Sequence, residues 1–177
     1  MRKLAIGTFF ALCTFYVGTA SALSPSAGLL VGNGFKEGYG FGLGARAGVT
    51  LPLSVYVGGT FVYHLGETKS TAAGDRSVNV WYVGAEGGYD LGVGPLTLRP
   101  YLGLGYAHVR AASPDVCAFG QCVSASGSNG EFALWPGVTA LVGLGGLFVG
   151  ADLRYVVLVD VEDFNAFSAF ATIGMSF

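Results

Sequence analysis

Five side chains of this 177-residue chain are histidine or cysteine, the types best suited to nucleophilic, acid–base or metal chemistry: Cys13, His64, His108, Cys117 and Cys122. Acyl transfer or hydrolysis needs a nucleophile and a base within hydrogen-bond reach of each other. Ser124 and Ser126 are the nucleophiles nearest His108 in sequence, and no local pattern brings them beside it. His64 and His108 both fall near the ends of segments with a period of two, His64 towards a lumen rim and His108 towards lipid headgroups, where a lone histidine reads as an interfacial polar group. Catalysis is therefore not expected. Cys117 and Cys122 have only Asp115 as a third nearby ligand and no histidine, too few donors for a structural zinc site. Gly42-Leu43-Gly44-Ala45-Arg46-Ala47-Gly48 falls one residue short of a dinucleotide fingerprint and lacks the following helix. No cofactor and no metal are expected.

The two cysteines become a disulfide if the chain is exported, and the first residues have the form of an export signal. Arg2 and Lys3 make a short basic region, Leu4 to Val17 an apolar stretch, and Ala20-Ser21-Ala22 a small-x-small cleavage site. A signal peptide at 1–22 and a mature domain at 23–177 follow. Cys13 lies inside the apolar stretch, and Phe10-Ala11-Leu12 lacks the small residue that precedes a lipidated cysteine. The good cleavage site likewise argues against an uncleaved anchor. In an oxidising compartment the remaining pair, Cys117 and Cys122, is read as a disulfide. Closing so short a loop stabilises it by roughly 2 kcal/mol in the chain-entropy model.

Composition sets the class of element that must carry these residues. The chain is 52% hydrophobic, 11% charged and holds 30 glycines, too apolar for an average soluble domain and too rich in glycine for packed helices. Its formal charge of −2 loses two further positive charges with Arg2 and Lys3. No basic patch points to nucleic acid. From Phe167 to Phe177 the residues alternate: Phe167, Ala169, Ala171, Ile173, Met175 and Phe177 share one face, Ser168, Phe170, Thr172, Gly174 and Ser176 the other. An apolar face towards lipid and a small or polar face towards a lumen, repeated in segments of about ten residues, marks a transmembrane β-barrel.

The same rhythm predicts eight strands, near Ser26–Asn33, Tyr39–Val49, Leu53–Leu65, Val78–Asp90, Pro95–Val109, Phe132–Val142, Leu147–Val157 and Ala166–Phe177. Tight connections at Thr50–Pro52, Leu91–Gly94 and Gly143–Gly146 alternate with longer polar ones at Gly34–Gly38, Gly66–Ser77, Arg110–Glu131 and Leu158–Asn165. Short turns on the periplasmic side and long loops outside put both termini in the periplasm. Closure is required, because unpaired strand edges in lipid cost several kcal/mol per group. Phe132 to Ala151 carries no charge and would suit a membrane helix by length, but Pro136, five glycines and a central Gly145-Gly146 favour two strands and a turn.

Registering each strand by its apolar face sends Arg46, Glu86, Arg99, Asp152 and Arg154 into the lumen as a salt-bridge network, with Glu86 and Arg99 as near neighbours across the turn after Asp90. Tyr56, Tyr82, Tyr101 and Trp135 share that phase. At about 4 Å and an effective dielectric near 20, each pair attracts by roughly 4 kcal/mol, which offsets part of the desolvation cost. A barrel of eight strands is only wide enough for its own side chains, which favours a packed polar core and leaves a narrow conduit as the alternative. Tyr63, Trp81 and Tyr155 at one end and Tyr89 and Phe177 at the other form aromatic girdles.

With the leader, the eight-strand rhythm, the inward Arg46, Glu86, Arg99, Asp152 and Arg154, and the terminal Ile173-Gly174-Met175-Ser176-Phe177, the chain resembles the small outer-membrane barrel family of the OmpA membrane domain, OmpX and the opacity proteins. The resemblance covers the whole mature region. It implies an integral outer-membrane protein whose partners are outer-membrane lipid and, during biogenesis, the barrel-assembly machinery, which would read the final strand at Phe177. With nothing after the last strand, the peptidoglycan-binding domain attached to some relatives is expected to be absent. Three functions are compatible with it: a structural or surface-interaction protein whose external loops meet an extracellular ligand of unknown identity, a narrow ion or small-solute channel, and a lipid-modifying enzyme. The long Ser-, Gly- and Ala-rich loops favour the first.

Overall fold

The computed structural model describes residues 23–177 except 37, 72–73, 113–115, 119–120, 124–125 and 160–163; for 67–71, 74–77, 111–112, 116–118, 121–123 and 126–127 it describes backbone alone. The signal peptide expected at 1–22, with Cys13, lies outside the described residues.

Eleven strands run in chain order: β1 Ser24–Gly34, β2 Phe41–Thr50, β3 Val55–Thr71, β4 Gly74–Tyr89, β5 Leu91–Val93, β6 Leu96–Ala112, β7 Val116–Ala118, β8 Gln121–Val123, β9 Ser126–Leu144, β10 Leu147–Leu158 and β11 Ala166–Ser176. β5 continues the line of β4 along β6 in one register, with Gly88 opposite Tyr101 and Leu91 opposite Leu98. Among the described residues the sheet thus has eight staves, ordered β4-β3-β2-β1-β11-β10-β9-β6, and the β4–β6 pairing closes it. Every pairing is antiparallel. The uncharged stretch from Phe132 to Ala151 is the end of β9, a two-residue turn and the start of β10, not a helix.

The alternation of the sequence becomes the two faces of the wall. Leu29, Phe61, Val83, Leu102, Leu153 and Ile173 stand on the outside, exposed, where burial in hydrocarbon in place of water is favourable by roughly 25 cal/mol per Å². Leu30, Val62, Tyr82, Tyr101, Trp135 and Phe170 are buried in the lumen.

At one end the connections are tight. Leu144 pairs with Leu147 around Gly145 and Gly146, whose φ angles of 63° and 92° lie in the left-handed region that glycine supplies without a Cβ penalty. Val93 pairs with Leu96 around Gly94-Pro95, so this turn is shorter and later than the Leu91–Gly94 expected. The third is the 3₁₀ segment Pro52–Ser54, with Leu53 and Ser54 at positive φ, which delays β3 to Val55 instead of Leu53.

At the other end the strands outrun the expected limits. β3 and β4 pair as far as Thr71 and Gly74, and β6 and β9 as far as Ala112 and Ser126. Beyond the bilayer neither face of a strand has to be apolar, so the period of two that marks a strand in lipid fades while the backbone pairing continues. A bulge between His64 and Glu67 bends the β3–β4 ribbon where it leaves the barrel. Its Gly66 has φ 70°, and a Cβ there would collide with the Val78 carbonyl oxygen. Within the loop between β6 and β9, β7 and β8 form a small hairpin in which Cys117 stands directly opposite Cys122, a backbone position that suits a cross-strand disulfide.

Candidate functional site

The inward phase gathers polar side chains from both walls into one layer at mid-barrel. Arg46 of β2 lies at its centre: its Nε approaches Glu86 Oε2 at 2.7 Å, its Nη2 approaches Asp152 Oδ2 at 2.7 Å, and its Nη1 donates to Thr139 Oγ1 at 2.8 Å. Arg154 Nε donates to Asp152 Oδ1 at 2.7 Å, and its Nη1 lies 3.6 Å from Glu86 Oε1. Trp135 Nε1 donates to Glu86 Oε1 at 2.9 Å, Thr139 Oγ1 donates to Asp152 Oδ2 at 2.6 Å, and the Tyr101 hydroxyl sits 2.9 Å from that same oxygen. Two guanidinium groups and two carboxylates thus balance in charge. Their desolvation is offset by mutual attraction and by neutral donors that fill the carboxylate lone pairs.

Arg99 belongs to a separate cluster. The sequence places it beside Glu86, a pairing that holds only if the turn spans Leu91–Gly94. With the turn at Gly94-Pro95 the register moves, Glu86 faces Gly103, and Arg99 falls beside Asp90. Arg99 Nε and Nη2 take the two Asp90 oxygens at 2.5 and 2.9 Å, Thr50 Oγ1 donates to Asp90 Oδ2 at 2.9 Å, and the guanidinium lies 3.7 Å from the centre of the Tyr56 ring. This bidentate pair forms part of the wall of a cavity of about 390 Å³ that opens at the tight-turn end between Ser24, Thr50, Thr97 and Ser176. Between the cavity and Arg46 there remains a space of about 10 Å³ beside Phe148 and Thr172, roughly one water across. Asp90, Thr50 and Thr139 escape the sequence reading; a correct turn would have exposed the first two.

The other half of the lumen is apolar. Leu30, Val62, Val78, Val80, Val109, Val156 and Leu158 form a buried cluster. Over it folds the segment after β1: Tyr39 is fully buried, and its hydroxyl donates to the Phe164 carbonyl at 2.8 Å. Both Gly38 and Gly40 take positive φ to let the chain turn inward, so β2 starts at Phe41 and not at Tyr39. His64 is consequently not at a rim. It is fully buried, its ring 5.0 Å from Tyr39 and 5.8 Å from Phe170, with Nδ1 3.4 Å from the Gly40 carbonyl and, among the described residues, no hydrogen-bond partner at Nε2. His108 faces outward as expected, its ring 5.4 Å from Trp81. The two histidines stand on opposite faces of the wall.

Known proteins agree with this architecture. The family model described as outer membrane protein beta-barrel domain matches residues 13–176. Among solved structures, a major outer membrane protein from Thermus thermophilus is similar, with a TM-score of 0.69 at 13% identity, covering 89% of this chain and 100% of its own. The N-terminal β-barrel domain of Pseudomonas aeruginosa OprF gives a TM-score of 0.56 at 15% identity, covering 87% and 97%. Ail, the attachment invasion locus protein of Yersinia pestis, solved with the heparin analogue sucrose octasulfate, gives 0.54 at 18% identity, covering 88% and 97%. These likenesses show the fold alone. No curated protein matches the chain. A closed barrel with an apolar exterior and a polar layer at its centre, matched by the family model from residue 13 to residue 176, makes this chain a member of the outer membrane protein β-barrel domain family, an integral protein of the outer membrane.

Proposed function

We propose that the protein works at the cell surface through its long-loop end, with both termini in the periplasm and the barrel as a rigid anchor. The observation that carries this reading is the sheet that stands beyond the barrel. β3, β4, β6 and β9 continue pairing with one another past the last residues held by β2 and β10. Among the described residues no neighbouring strand covers the outer edge of β3 from Glu67 or that of β9 before Phe132. Open edges and loop tips on a rigid scaffold are where extended partners add. A disulfide between Cys117 and Cys122 would pin the β7–β8 tip. Neither a cofactor nor a catalytic pair enters this reading.

Deleting residues 67–77, and separately 111–127, with each ribbon closed by a two-residue turn, tests it. The expected result is a barrel that keeps its folded, heat-shifted gel mobility while attachment of producing cells to glycan- and protein-coated surfaces falls. Undiminished attachment with both deletions would overturn it. A channel is the second reading, favoured by the cavity at the tight-turn end; bilayer conductance decides between the two.

A further inference from the structure

The outward phase of β6 runs from Leu98 through Leu102 and Leu104 to Tyr106, His108 and Arg110. At about 3.3 Å per residue and a tilt near 40°, Leu98 to His108 climbs about 25 Å, the height of the lipid-facing band of such barrels. Arg110 therefore clears the hydrocarbon and stands at the level of the headgroups. Among the described strand side chains on the outside of the wall it is the one with a formal charge, and it is exposed. The register sets Asn79 on one side of it and Ser128 on the other, so its described neighbours supply no carboxylate.

The surface beneath is aromatic and carries polar tips. Trp81 lies 5.4 Å from His108 and 5.7 Å from Tyr106 between ring centres. Asn79 Nδ2 donates to the Tyr63 hydroxyl at 3.4 Å, which links Asn79, beside Arg110 in the register, to Tyr63, one row below in the row of Trp81 and His108. Tyr106 leans over Gly130, where a Cβ would collide with its hydroxyl, so that the phenol oxygen reaches the row of His108. A guanidinium with no carboxylate among its described register neighbours, an imidazole and a phenol thus occupy adjoining rows of one outward face, with Trp81 packed beside the imidazole and the phenol. At this depth the anion that a bilayer presents is a lipid phosphate, and a guanidinium binds it through two parallel hydrogen bonds.

We propose that Arg110, His108 and Tyr106, on the platform of Trp81 with Asn79 and Tyr63, form a docking site for a phosphate-bearing lipid headgroup in the leaflet at the long-loop end. Arg110 makes the bidentate contact, and Trp81 packs along the upper acyl segment. The site fixes the barrel's depth and rotation relative to that leaflet.

Native mass spectrometry of the refolded barrel tests this, with phosphatidic acid and diacylglycerol of the same acyl chains as probes. The parent should retain phosphatidic acid about 5-fold over diacylglycerol, the factor of one arginine near a membrane surface. Arg110→Gln should bring the ratio close to one, and Lys36→Gln should leave it at the parent value. Ser128→Asp, which sets a carboxylate beside an intact Arg110, should lower the ratio as well and serves if Arg110→Gln fails to fold. An unchanged ratio in either folded Arg110→Gln or Ser128→Asp overturns the proposal. Displacement of phosphatidic acid by an equal concentration of free glycerol phosphate would identify a soluble-anion site and overturn the lipid source.

Discussion

The two halves of the lumen solve the same problem by different chemistry. Towards the tight turns, charges meet in pairs, Arg99 with Asp90 and Arg46 with Glu86 and Asp152, beside a cavity open to solvent. Towards the long loops, Val62, Val80, Val156 and Leu158 pack as in the core of a soluble protein under the inward fold of Tyr39. Charge pairing holds register between opposite walls but leaves room for water, whereas apolar packing excludes it. The barrel is consequently closed twice, by an electrostatic layer and by an apolar one, and opening either leaves the other in place.

Breaking the electrostatic layer has the largest expected effect. Asp152→Ala leaves Arg46 and Arg154 with Glu86 as their one shared carboxylate in a buried site and should cost about 3–5 kcal/mol, measured by urea unfolding of the barrel in lipid vesicles. In the apolar half Leu158→Ala removes a fully buried side chain and should cost about 2–4 kcal/mol in the same assay. If the order of these two were reversed, the apolar half would be the stronger closure. Asp90→Asn, at the cavity wall, should cost less, about 1–2 kcal/mol, because solvent replaces part of the lost pairing. Smallest is His64→Phe, which removes a buried Nε2 without a partner among the described residues and one long contact from Nδ1 to the Gly40 carbonyl, and should stay within about 1 kcal/mol of the parent; a loss of several kcal/mol would mean that Nε2 is satisfied and needed.

Much of this contrast is legible in the sequence where lipid imposes it. The inward placement of Arg46, Glu86, Asp152, Arg154, Tyr101 and Trp135 follows from phase alone, since a one-residue slip would expose each of them to hydrocarbon. Phase does not give register along the strand axis. Two Gly-containing turns, Leu91–Gly94 and Gly94-Pro95, send the same residues inward but change which ones meet, and this is why Arg99 is beside Asp90 and not Glu86. The inward fold of Tyr39 and the burial of His64 depend on Gly38 and Gly40 at positive φ and on Phe164, far away in sequence, a tertiary contact with no local pattern. The ribbons beyond the bilayer read as loops in the sequence because polar and glycine-rich strands outside lipid carry no alternation.

Two independent closures in one lumen are tested most directly by planar-bilayer conductance of the parent and of Arg46→Ala. Both should stay at the baseline of empty bilayers, because removing Arg46 opens the charged layer while the Tyr39-capped apolar half stays shut. Discrete unitary steps in the parent, or steps that appear with Arg46→Ala alone, would contradict the double closure.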